Sequence, residues 1–67
     1  MYRETAVGKK IKAIRESKGF NQSELAARAG VTPSCINSIE RGSRNPSYKS
    51  LIGIANALET TVDNLMN

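Results

Sequence analysis

Ser34, Ser38 and Arg41 recur at spacings of four and three, with Asn37 beside them and Pro33 just ahead. On a helix advancing about 100° per residue, Ile36 and Ile39 define one side, and the two serines and Arg41 lie roughly opposite. That opposite face is small, polar and basic. It has few long side chains to hold the helix off another surface. Its hydroxyls and amide can donate to and accept from base edges in the major groove of duplex DNA, which makes Pro33, Ser34, Asn37 and Ser38 candidate base readers. An ordinary solvated helix face has the same composition, so the surrounding chain has to discriminate.

Other chemistries have little to work with. There is no His, and Cys35 is the one cysteine, so neither a zinc site built on these residues nor an internal disulfide can form. The serines have no imidazole to act as base. The acids are scattered along helices without a paired-carboxylate arrangement. No catalytic residue, metal or cofactor is therefore expected. Cys35, near the start of its helix, has a position that could lower a thiol pKa, but packing is the plainer account of a single small thiol there.

The polar face needs a start, a stop and a support, and residues 22–41 supply all three. Asn21 can N-cap a helix, with Glu24 as the second half of a capping box and Phe20 stapled against Leu25. Leu25, Ala26 and Ala29 share one face, and Gly30 follows where a helix end favours positive φ. After Val31, Thr32 can cap the next helix, with Pro33 at its first position, where a missing N–H is harmless. Gly42, Ser43 and the Asn45-Pro46 turn end that helix. Two helices joined by a turn of about three residues containing Gly form the helix-turn-helix unit.

The flanks read as braces. Val7, Ile11 and Ile14 recur at i, i+4 and i+7 until Gly19, predicting an amphipathic first helix. Ser47 can cap a fourth helix reaching Leu58, with Leu51, Ile54, Ala55 and Leu58 as its stripe, and Thr61 caps a short fifth over 62–66. The fold class is therefore all-α, a five-helix bundle in a single domain over residues 1–67.

Charge placement supports nucleic acid as the partner. The formal net charge is +4, and all ten Lys and Arg lie in residues 1–49 with four acids, while the last eighteen residues carry only Glu59 and Asp63. A domain this basic attracts polyanions. Anionic membrane competes for that role, but no stretch approaches the roughly twenty apolar residues of a span, and the N-terminus lacks a signal-peptide apolar core. Cytoplasm, with nucleoid association when DNA is bound, is the expected location. Around the polar face, the free N–H groups at the start of the second helix favour phosphate at Asn21, Gln22 and Ser23. Thr32, Arg41, Ser43, Arg44 and Asn45 are the remaining phosphate candidates. Arg28 reads as a solvated charge. Met1–Glu4 reads as a loose arm whose Arg3 could reach a phosphate, although a solvated terminus accounts for it more simply.

The pattern resembles the helix-turn-helix of the Cro and C1-type phage repressors, the bacterial XRE family. Ala26, Gly30, Val31, Ile36 and Ile39 occupy its small, turn and apolar positions. Asn21-Gln22, Glu24-Leu25-Ala26 and Ile39-Glu40-Arg41-Gly42 match its flanks, and the similarity runs over about residues 6–66. The resemblance implies a bundle of the lambda-repressor-like type and a small transcriptional regulator, a repressor of double-stranded DNA operators. It also implies a partly buried ion pair between Arg15 and Glu40, and Gln22 placed at the DNA backbone. It implies a homodimer through the fourth and fifth helices, presenting two recognition helices about 34 Å apart, with Tyr48, Ile52 and Met66 as seam candidates. Pro33-Ser34 replaces the Gln-rich start of some phage repressors, so no operator sequence carries over. The alternative is an XRE-like protein-interaction or antitoxin module whose DNA contact is secondary.

Overall fold

The computed structural model describes residues 6–66, which form five helices: α1 (Ala6–Ser17), α2 (Gln22–Ala29), α3 (Pro33–Arg41), α4 (Tyr48–Ala57) and α5 (Val62–Met66). The N-terminal arm with Arg3 lies outside the described residues. Among the described residues there is no strand, and no helix is long and apolar enough to cross a membrane.

Helices α2 to α5 each start where a side-chain oxygen is available for an orphan N–H. Asn21 accepts from Glu24 N at 2.7 Å, and Glu24 Oε1 accepts from Asn21 N at 2.8 Å, completing the capping box. Thr32, Ser47 and Thr61 accept from Cys35, Ser50 and Asn64 N–H groups. Helix ends follow the same local logic. Gly30 (φ 75°) and Gly42 (φ 83°) take the left-handed conformation that closes α2 and α3, and the N–H of Ser43 then reaches Ser38 O at 3.0 Å. The end of α4 departs from this pattern. Glu59 adopts φ 57° without being glycine, and Thr60 N–H bonds Ala55 O at 2.9 Å. No glycine in the sequence announces that turn.

The apolar stripes converge on one core of Ile11, Leu25, Ala26, Ile36, Ile39, Leu51, Ile54, Ala55, Leu58 and Leu65. Val7, Ile14, Phe20, Ala29 and Val31 line its margin. Leu65 is fully buried although α5 is too short to show a stripe. α2 packs on both α3 and α4, while α1 packs on α3 and α5. The recognition candidate α3 is thus supported from two sides.

α2 and α4 meet closely at Gly53, where a Cβ would lie 2.5 Å from the carbonyl oxygen of Ala29. Because the obstacle is backbone, the two helices would have to separate. Gly53→Ala is therefore expected to destabilise the fold by about 1–3 kcal/mol, overriding the better helix propensity of alanine. A urea denaturation curve reads this directly, and an unchanged or raised midpoint would refute the close packing.

Candidate nucleic-acid interface

α3 presents the anticipated face, with gradations. Pro33, Ser34 and Arg41 are exposed and Asn37 and Ser38 are half-buried, while Ile36 and Ile39 are fully buried on the other side. The helix is set by its cap and its apolar pair. Thr32 Oγ1 accepts from Cys35 N at 3.1 Å, which leaves the hydroxyl hydrogen available to an outside acceptor.

Behind this face lies a buried polar cluster. Arg15 is 9% exposed and Glu40 is 4% exposed, so their charges must be matched inside the protein. Arg15 Nε donates to Glu40 Oε2 at 2.7 Å and Nη2 donates to Oε1 at 3.1 Å, a bidentate fork that ties α1 to the end of α3. Nη1 donates to Phe20 O at 2.8 Å, anchoring the α1–α2 link as well. Hydrogen bonding to Glu40 holds the Arg15 guanidinium above its ordinary pKa, against the opposing effect of burial. Among the described residues no buried side-chain nitrogen or oxygen lacks a partner.

Gln22 joins this cluster. Its Nε2 donates to Glu40 Oε1 at 3.1 Å and to Asn37 Oδ1 at 3.3 Å. Both amide hydrogens are then engaged, and its remaining Oε1 can only accept. That leaves the main-chain N–H at the start of α2 as the donor Gln22 can offer a phosphate. The N–H groups of Gln22 and Ser23 open α2 and find no acceptor among the described residues, because Asn21 takes Glu24 and Leu25. Ser43, another phosphate candidate, is also held internally. Its hydroxyl and its N–H both donate to Ser38 O, at 3.2 and 3.0 Å, so in this arrangement it locks the end of α3. Asn21, Ser23, Arg44 and Asn45 are exposed at the two ends of the helix-turn-helix.

Several contacts escaped the sequence reading, two of them beside the helix-turn-helix. Arg28, read there as a solvated charge, lies with its guanidinium carbon 4.6 Å from the centre of the Phe20 ring, a cation–π contact. The Gln22–Asn37 bond has no sequence signal, since fifteen residues separate the partners. Cys35 is half-buried and packs against the core margin. Among the described residues no cluster of three or more His, Cys, Asp and Glu could hold a metal ion.

A bundle that presents one short polar helix outward, capped on both sides and buttressed by the helix before it, defines a helix-turn-helix protein. A helix-turn-helix family model matches residues 11–65. The chain belongs to this family, in its XRE-type, Cro/C1-like branch. The HTH-type transcriptional regulator SinR of Bacillus licheniformis is 42% identical over 62 residues, covering 91% of this chain and 56% of that protein. The N-terminal DNA binding domain of SinR from Bacillus subtilis has a TM-score of 0.87 at 40% identity, over 91% of this chain and 90% of that one. The P22 c2 repressor in complex with a synthetic operator has a TM-score of 0.87 at 28% identity, over 91% of this chain and 92% of that one. The chain spans between 31% and 56% of the length of the first curated relatives it matches.

Proposed function

We propose that the chain is a sequence-specific double-stranded DNA-binding transcription regulator, a repressor, with α3 in the major groove. The observation that carries this reading is the exposed, cap-defined face of α3, flanked by unpaired N–H groups at the start of α2 and by exposed Arg44 and Asn45 after α3. Pro33, Ser34, Asn37 and Ser38 lie against base edges, Pro33 by apolar contact and the others by hydrogen bonds. Asn21, Ser23, the Gln22 main chain, Thr32, Arg41, Arg44 and Asn45 meet phosphates and set register. The names of the relatives, HTH-type transcriptional regulators and repressors, support the same function.

A homodimer through α4 and α5 fits this function. Among the described residues, Tyr48, Ile52 and Met66 are the exposed large apolar side chains, at 72%, 38% and 53%. A two-fold pair would display two recognition helices to a near-palindromic site. No residue of this reading performs chemistry on the DNA.

Duplex binding over a salt series tests the proposal. The logarithm of affinity should fall linearly with the logarithm of salt, with a slope of about −0.9 per phosphate neutralised, and Arg44→Ala should make it shallower by about one contact. Salt-independent or absent binding would point instead to an XRE-like protein-interaction or antitoxin module.

A further inference from the structure

The cluster behind α3 has a polarity, and that polarity reaches the DNA face. Arg15 carries only donors, so both Glu40 oxygens accept from it. Gln22 meets the same Glu40 Oε1, and a carboxylate accepts only, so Gln22 must turn its nitrogen toward Glu40. The second hydrogen of that nitrogen goes to Asn37, which must answer with its carbonyl oxygen Oδ1. Either amide could be flipped in isolation, but the ion pair selects one orientation for each. Asn37 Nδ2 then has no partner among the described residues, and because no buried side-chain nitrogen there is unsatisfied, Nδ2 lies at the surface.

We infer that Gln22 is a positioning residue that presents Asn37 to DNA as a hydrogen-bond donor, so that Asn37 selects guanine. Asparagine commonly pairs with adenine, using its carbonyl on N6 and its amide on N7. Here the carbonyl end is held by Gln22 and the amino end is offered. Guanine presents two adjacent acceptors in the major groove, N7 and O6, for the two amide hydrogens, whereas adenine sets a donor beside its N7, thymine offers the single acceptor O4 beside its methyl group, and cytosine offers a donor alone. The inference rests on the proposed function, and it adds both the base class and the residue that enforces it. It also connects the bond that docks α1 to α3 with the choice of a base.

Selection from a random duplex pool with the full chain tests this, using the wild type, Asn37→Ala, Gln22→Leu and Asn37→Asp. The base pair whose preference disappears in Asn37→Ala identifies the contact of Asn37. At that pair the wild type should favour guanine over adenine about tenfold. Gln22→Leu frees the amide to rotate, so the preference should move toward adenine at that pair alone, with the other positions and the thermal midpoint little changed. Asn37→Asp retains an oxygen for Gln22 and replaces the outward donor by an acceptor, which should turn the preference toward cytosine. The inference is overturned by adenine, thymine or cytosine at that pair in the wild type, by unchanged guanine preference in Gln22→Leu, or by no pair responding to Asn37→Ala. A pool that enriches no sequence, with no salt-dependent binding, would instead overturn the proposed function itself.

Discussion

Alanine in place of Glu40 is expected to destabilise the protein by about 3–5 kcal/mol, because it removes the buried, hydrogen-bonded partner of the Arg15 guanidinium and leaves only the exposed Glu16 carboxylate, 3.9 Å away. Arg15 Nε and Nη2 would both lose their acceptor, and Gln22 would lose one of two. A domain of 67 residues has a small core, so this is a large share of its total stability. The thermal midpoint should fall by more than about 10 °C. Arg15→Ala should be comparably severe, whereas the double change Arg15→Met, Glu40→Leu, which removes both charges and retains bulk, should recover much of the loss. The exposed pair of Lys18 and Glu59, 3.3 Å apart, supplies the comparison. Lys18→Ala should cost under about 1 kcal/mol, since water already solvates both charges. Equal losses in Glu40→Ala and Lys18→Ala would show that burial gives the Arg15–Glu40 fork no special weight.

Ser34→Glu is the complementary case, expected to remove DNA binding while leaving the fold intact. Ser34 is exposed in the first turn of α3, where N–H groups and the helix dipole favour a carboxylate, so folding stability should stay the same or rise slightly. The same carboxylate, carried into the groove between phosphates, brings like charges together at a cost of several kcal/mol. Affinity for a selected duplex should therefore fall by more than about a hundredfold. Titration of a labelled duplex, with circular dichroism melting of the same samples, separates the two effects. Binding within about threefold of wild type would place the DNA surface elsewhere than this face of α3.

These substitutions act on neighbouring parts of one cluster with opposite results. Glu40 faces inward and holds the bundle together, while Ser34 faces outward and contributes little to it. Gln22 and Asn37 stand between them, half-buried, where a change in the scaffold can alter what the surface offers.

Most helix boundaries and most of the core, Leu65 excepted, were readable from residue order, and the reason is range. The caps at Asn21, Thr32, Ser47 and Thr61 bond N–H groups three residues away, and the glycine stops at Gly30 and Gly42 close on the turn just before them. Such bonds depend on neighbours along the chain, and so do the periodic stripes that became the core. The resemblance to known repressors supplied the Arg15–Glu40 pairing, which spans twenty-five residues and which charge and periodicity alone only permit. Packing decided the rest. The approach of Gly53 to Ala29, the seating of Arg28 over Phe20, the half-burial of Asn37 and Ser38, and the engagement of both Gln22 hydrogens arise only when separate helices meet at particular distances and angles. A sequence lists the donors and acceptors, but their geometry of encounter belongs to the assembled bundle, and that geometry sets which end of Asn37 is offered outward.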